Sequence, residues 1–343
     1  MTDASPLRAW GSATWLFRQP VIRDLSWFVI GNVSTQDRCL SIFKHCGSSL
    51  SLGACACLEI VDEDSGFSGE CKRRRDATRA MWEYLVPSDK RELHTFGLMN
   101  PVKPVQTLAK GWMAGPHAKN VILDVSAMPE RFFFPLLRWL LESQAIDNLI
   151  VTYMLPEKYT SNELAYDAGE WAQLPTFVGG DDDDGNHIER VIAGVGFVPF
   201  SLPDWLKKTY LDRTQAEVFL MFPFPSAPAY VRRAWEFVRQ IEVSLPLKDE
   251  SRIVRVAAND LSGCYDRIQL LTKNGTRRAV FAPYGPKPHS VAMCLHALMT
   301  NSEVFYTQPT HHHPEYSTGI LMQDGLPAGF AYAIRLKGRN LYC

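Results

Sequence analysis

Short apolar runs without polar interruption alternate, along most of this chain, with stretches whose apolar residues recur every three or four positions. Runs of the first kind predict strands buried on both faces, and stretches of the second kind predict amphipathic helices. Residues 27–33, Trp-Phe-Val-Ile-Gly-Asn-Val, form the first such run. A helix is expected over 37–46, where Cys39, Leu40, Phe43 and Cys46 share a stripe and Ser34 or Thr35 can cap the start. A strand at 54–61, a helix over 71–85 with one charged side, and a helix over 104–112 with Pro104 in its first turn follow. Val-Ile-Leu-Asp-Val at 121–125 is the clearest strand of the first half. It leads into a helix over 129–143, carried by Phe132, Phe133, Leu136, Leu137 and Leu140, and then into a strand over 148–155 that stops at Pro156.

Between 159 and 186 the pattern breaks. The segment is polar, holds Gly179-Gly180 and four successive aspartates at 181–184, and reads as a linker or mobile loop. Alternation then resumes. Strands are expected at 189–197, 216–222, 253–257, 278–283 and 303–307, and helices over 202–210, 230–244, 261–273 and 286–299. Strands alternating with helices at this spacing predict βαβ units. The expected fold is α/β, with two Rossmann-like halves built on mostly parallel sheets. The first half covers 1–158 and includes an N-terminal arm; 159–187 links it to a second half, 188–343, that ends in an irregular tail.

Composition narrows the function classes. The 343 residues are 46% hydrophobic and 21% charged, enough apolar material for two packed domains and too much for wholesale disorder. A formal net charge of −1 excludes a globally basic nucleic-acid binder, so nucleic acid is not favoured as a partner, although Lys72-Arg73-Arg74-Arg75 is a local basic cluster. No apolar stretch reaches membrane-spanning length, and the first residues lack the pattern of a secretory signal. The eight cysteines form no CxxC pair, and several lie in apolar segments, as expected of small hydrophobes in a reducing cytoplasm.

Candidate chemistry gathers at the expected carboxyl ends of strands. The turn Pro283-Tyr284-Gly285-Pro286-Lys287-Pro288-His289-Ser290 leads from a strand into a helix. Gly285 permits close backbone approach, Lys287 adds a full charge, and a helix start offers amides and the positive dipole end to an anion. Gly285, Lys287 and Ser290 are therefore ligand-binding candidates. The spacing is not that of a Walker A loop. Asn32 and Ser34 close the first strand, and Asp124 and Ser126 close the clearest one. The first pair can bind a base or phosphate or serve only through a Ser34 cap, and the Asp of the second can hold a ribose hydroxyl or a metal or form only an Asx turn. His289, His311 and His313 are the candidates for proton transfer on a bound phosphodiester. No cysteine or carboxylate stands at zinc spacing from the run 311–313, so no metal is favoured and no cofactor is identified. The aspartate run lacks the closing glutamate of an EF-hand and reads as a solvated loop.

Residues 283–292 resemble the Gly-Thr-Lys-plus-helix segment of CARF-type domains, including the tandem form called SAVED. Residues 28–34 are similar to the opening strand and ligand-side turn of such a domain, and 123–126 to another strand end. Those domains are Rossmann-like nucleotide sensors of bacterial antiviral systems that recognise cyclic oligonucleotides and switch an effector. The resemblance implies a cytoplasmic sensing subunit that holds a nucleotide-type or other anionic ligand at Gly285, Lys287 and Ser290. It also implies signalling to a protein partner or a second copy of the chain. The residues leave two other readings open: an enzyme that cleaves or transfers at a nucleotide through His289, His311 or His313, and a scaffold subunit of a larger complex.

Overall fold

The computed structural model describes residues 7–46, 48–161, 163–178, 188–207, 216–226, 228–244 and 252–342. Gly179-Gly180 and the aspartates 181–184 lie outside the described residues. Two compact units emerge, Met1–Asp167 together with Pro309–Cys343, and Ala168–Gln308. The tail expected to end the second half thus belongs with the first. The segment 159–187, expected as a linker, contributes short paired strands at Lys158–Tyr159, Ala165–Ala168 and Ala172–Gln173.

In chain order the first unit contributes β1 (Trp10–Ser12), α1 (Ala13–Phe17), α2 (Pro20–Arg23), β2 (Ser26–Val33), a 3₁₀ turn (Asp37–Leu40), α3 (Ser41–His45), β3 (Ser51–Val61), α4 (Ser68–Leu85), β4 (Arg91–Gly97), α5 (Lys103–Ala114), β5 (Asn120–Asp124), α6 (Glu130–Glu142) and β6 (Asn148–Met154). The second contributes β7 (Arg190–Gly194), α7 (Leu202–Leu206), β8 (Glu217–Pro223), α8 (Pro228–Ser244), β9 (Ile253–Val256), α9 (Leu261–Leu271), β10 (Ala279–Ala282) and α10 (Lys287–Thr300). β11 (Gly329–Leu336) belongs to the first unit again. Among the described residues no helix is long and apolar enough to cross a membrane.

The first sheet runs in the order β1-β11-β6-β5-β2-β3-β4. β2 to β6 are mutually parallel, whereas β11 is antiparallel to β6 and β1 to β11. β2 is buried from Trp27 to Val33, which is why its sequence is continuously apolar. Trp27 satisfies its indole N–H on the Ile22 carbonyl at 3.0 Å, so a ring of that size fits inside the core. Val29, Phe43, Cys55, Cys57, Ile122 and Ile150 pack into the same cluster. β4 was not expected. It is a half-exposed edge strand, Arg-Glu-Leu-His-Thr-Phe-Gly, whose charges suit an edge and hide it from a search for apolar runs. β11 was hidden by the glycines around it.

β11 is tied down by a buried arginine. Arg335, 5% exposed, donates from Nη1 to the carbonyls of Ser143 (2.7 Å) and Ile146 (3.1 Å), and from Nη2 to Leu141. Helix α6 ends there with carbonyls that have no partner in their own helix, and a cation at a helix C-terminus also meets the negative end of its dipole.

The second sheet is fully parallel, in the order β9-β8-β7-β10. Ala234, Phe237, Val238 and Ile241 of α8 line one side of its core with Val191, Leu220 and Val280. Numbered by chain order, the parallel strands of both sheets run 3-2-1-4, and the first sheet adds a fifth beside the fourth. The order therefore reverses between β2 and β5 and again between β7 and β10. Open α/β sheets take their ligands outside the carboxyl ends of strands at such a reversal.

Replacing Arg335 with alanine should lower the unfolding free energy of the first unit by about 2–4 kcal/mol, because several buried carbonyls lose their donor. Lys72→Ala, which removes an exposed i,i+4 pair with Asp76, should leave it nearly unchanged. Urea denaturation of the two variants tests the contrast.

Candidate functional site

At the first reversal the pleat decides what converges. Asp124 and Thr152 are register partners on β5 and β6, and they share the face of Ile122 and Ile150. Asn32 falls on the opposite face of β2, one residue beyond Gly31, which lies beside Asp124 in the register that pairs Ile30 with Leu123. Asp124 and Ser126 are brought together, and Asn32 is not added to them. Asn32 Nδ2 donates to the Ala127 carbonyl at 3.0 Å, and its Oδ1 is buried without a hydrogen-bond partner. Ser34 Oγ accepts from the Gln36 amide at 3.3 Å, a local turn bond.

Asp124 is 0% exposed. Its Oδ1 accepts from Ser126 Oγ at 2.6 Å and from Thr152 Oγ1 at 2.8 Å, and Ser126 Oγ in turn accepts from the Met154 amide at 2.7 Å. Its Oδ2 is buried with no partner. Burial pushes the Asp124 carboxyl up from 3.8 to about 6, against the opposing pull of the Ser126 and Thr152 hydroxyls and the Arg38 charge. Burial likewise pushes the neighbouring Cys39 thiol up to about 12, which leaves it protonated and unreactive.

Arg38 is the residue that the sequence did not single out. It lies in the 3₁₀ turn after β2 and is 3% exposed. Its Nε donates to Gln36 Oε1 at 3.0 Å and its Nη1 to Tyr159 Oη at 2.9 Å. The guanidinium carbon stands 5.7 Å from the Tyr153 ring centre and 5.4 Å from that of Tyr159. Among the described residues no carboxylate lies within ion-pair distance, 4.0 Å, of this cation. A stripe of Cys39, Leu40 and Phe43 next to an arginine was the available signal, because an amphipathic reading gives that arginine an outward direction.

At the second reversal the strand ends meet directly. A Cβ on Gly194 would stand 2.6 Å from the Gly285 nitrogen, and one on Gly196 would press into the Tyr284 carbonyl oxygen more closely still. Gly285 is thus placed by backbone contact with the end of β7. The turn 283–290 was expected to present several free amides. Pro286 and Pro288 carry none, and the amides of His289 and Ser290 both bond to the Pro286 carbonyl, at 2.9 and 3.1 Å. At most one first-turn amide, that of Lys287, remains for an anion. Lys287 is half-buried, and Ser290 is fully buried with its hydroxyl unpartnered. His289 Nε2 donates to the Ala257 carbonyl at 2.9 Å, and burial pulls its pKa from 6.5 down to about 4, so the ring is neutral near pH 7.

The other histidines belong to the first unit, where His311 and His313 both pack on Phe67, with ring centres 6.3 and 5.4 Å away, and His312 is turned to Asp62. His311 stacks on Tyr166 with ring centres 5.3 Å apart, and His313 packs on Phe67 at 5.4 Å while its Nδ1 accepts from the Glu315 amide. His312 has the acid–base partner: its Nδ1 lies 3.3 Å from Asp62 Oδ2. Successive residues of a strand point to opposite faces, which separates His312 from His311 and His313. Among the described residues no group of three or more His, Cys, Asp or Glu side chains is placed to hold a metal ion.

No family model matches the chain, and no curated protein matches it. Among solved structures, a putative universal stress protein from Pseudomonas aeruginosa UCBPP-PA14 aligns at 11% identity with a TM-score of 0.24, covering 84% of this chain and 95% of that one. A universal stress protein from Archaeoglobus fulgidus DSM 4304 aligns at 10% identity with a TM-score of 0.24, covering 82% and 96%. Similarity this low assigns neither a ligand nor an activity.

Two outcomes follow from the strand ends. The Asp124 pKa is higher folded than unfolded, so the folded state holds the extra proton between pH 3.8 and about 6. Its contribution to stability is greatest at the acid end of that window and falls, by about 3 kcal/mol in all, as pH rises through it. Asp124→Asn should remove this fall, seen as a stability difference from wild type that grows from pH 4 to pH 7 in urea titrations. Gly196→Ala should cost at least about 2–3 kcal/mol through backbone overlap with Tyr284, measured as a lowered unfolding midpoint.

Proposed function

We propose that the chain is a ligand-sensing subunit that holds a nucleotide-type, phosphate-bearing molecule at the carboxyl edge of its first sheet and passes occupancy to a protein partner. One observation carries the proposal. At the order reversal of a doubly wound sheet, two buried groups of opposite charge stand within each other's field, and neither is closed by the other. Among the described residues Asp124 keeps an unpartnered carboxylate oxygen, and Arg38 has no carboxylate at ion-pair distance. Buried charges that serve only the fold are ordinarily paired at contact distance. A ligand with hydroxyl or amine donors for Asp124 and an anionic oxygen for Arg38 would complete both, and a nucleotide carries the two kinds of group on one molecule.

Two mostly parallel sheets in tandem, whose first four parallel strands share the order 3-2-1-4, support the tandem form of the resemblance to CARF-type sensors, and through it a role in a bacterial antiviral system.

Thermal unfolding with a panel of mono-, di- and cyclic nucleotides is the test. A ligand at one hundred times its Kd should add about 2.7 kcal/mol of stability, a shift of several degrees. Asp124→Asn should weaken the effective ligand by about tenfold, or 1.4 kcal/mol. No stabilisation by any member of the panel removes the proposal.

A further inference from the structure

We infer that the Gln36 side chain is a displaceable stand-in for a phosphate oxygen, and that the Arg38 guanidinium bonded to it is the receptor for a phosphoryl group. The inference rests on the ligand-sensing proposal for the molecule that bears the phosphate, and on the geometry of Gln36 for the place where it binds.

Arg38 is held as a receptor is held. Two tyrosine rings flank the cation, the Tyr159 hydroxyl takes Nη1, and the Tyr153 and Tyr159 hydroxyls lie 3.0 Å apart. All of these partners are neutral. The carboxylates nearest in sequence or field, Asp37 and Asp124, remain beyond ion-pair distance, and Asp37 Oδ2 instead accepts from the Gly319 amide at 2.8 Å. A guanidinium sequestered from water is the group most suited to a phosphate, whose oxygens match its planar fork.

The position that an anionic oxygen would take is filled by an amide oxygen. Gln36 Oε1 accepts at once from Arg38 Nε at 3.0 Å and from Ser317 Oγ at 2.8 Å. Both donors, a guanidinium and a hydroxyl, are ones that a phosphate oxygen also accepts. The stand-in is neutral, whereas a phosphate oxygen would form a charge-assisted bond to the same Nε. Gln36 is half-buried in the loop between β2 and the 3₁₀ turn, outside any strand or helix, so its side chain can turn outward without breaking a backbone ladder.

Titration calorimetry of the full chain with inorganic phosphate, adenosine 5′-monophosphate and adenosine tests this in the wild type and in Gln36→Ala, Gln36→Glu and Arg38→Lys. The monophosphate should bind more tightly than adenosine by about tenfold or more, and Gln36→Ala should bind both phosphate probes several-fold more tightly because no placeholder remains to be displaced. Gln36→Glu supplies a permanent anion to Arg38 and should lose about tenfold or more in phosphate affinity while its Tm stays the same or rises. Arg38→Lys should weaken binding, and the Gln36 variants decide the question if it fails to fold. Phosphate affinities in Gln36→Ala and Gln36→Glu that both stay within about twofold of wild type would overturn the inference, as would a wild type that binds neither phosphate probe. Nucleotide binding that depends on Lys287 and ignores Gln36 would also overturn it and leave ligand sensing standing. Phosphate binding that follows Gln36 without any nucleotide binding would uphold the receptor and remove the nucleotide.

Discussion

A parallel strand covered on both faces can carry a polar side chain only near its ends. Within β2, β5 and β6 the interior is apolar, because a buried polar group without a partner costs free energy comparable to a lost hydrogen bond or more. The polar residues accordingly crowd to the carboxyl ends, where Asp124, Ser126 and Thr152 share three short hydrogen bonds with the Met154 amide. That network holds one carboxylate oxygen and leaves the other bare, and burial raises the Asp124 pKa against the pull of the two hydroxyls. The candidate site therefore grows out of the same constraint that makes the sheet.

The second sheet meets the constraint differently. Its strand ends are joined by close backbone approach, Gly194 and Gly196 against Tyr284 and Gly285. The prolines at 286 and 288 remove amides from the helix start, and the two amides that follow are already bonded. A helix N-terminus attracts anions through unsatisfied N–H groups, so this one is poorer than its dipole alone implies. One strand order thus yields an edge with buried charges in the first unit and, in the second, a backbone-packed corner whose His289 Nδ1 and Ser290 Oγ are buried without a hydrogen-bond partner.

The C-terminal segment completes the first unit at two places. Arg335 on β11 takes up the carbonyls at the end of α6, and Ser317 and Gly319 bond Gln36 and Asp37 beside the candidate receptor. These contacts join residues nearly 200 and nearly 300 positions apart, so the chain must close almost its full length before the edge of the first sheet is whole.

Much of the fold was legible because burial on both faces writes itself as uninterrupted apolar sequence. The runs 27–33 and 121–125 and the amphipathic helix over 129–143 mark β2, β5 and α6 to within a residue or two, and the α/β class follows from their alternation. Asn32, Ser34, Asp124 and Ser126 were visible as polar residues at strand ends, since position along a strand is a local property. Arg38 and Gln36 were not, because an arginine beside an apolar stripe has the same sequence whether it faces water or two tyrosines. The edge strand β4 and the returning β11 were hidden for a related reason: a half-exposed edge carries charges, and a strand bounded by glycines reads as loop. Local pattern set which segments become strands and helices, because periodicity and burial act over a few residues. Only the tertiary structure decided which face each strand end presents, which distant segment lies beside it, and so which charges are left without a partner.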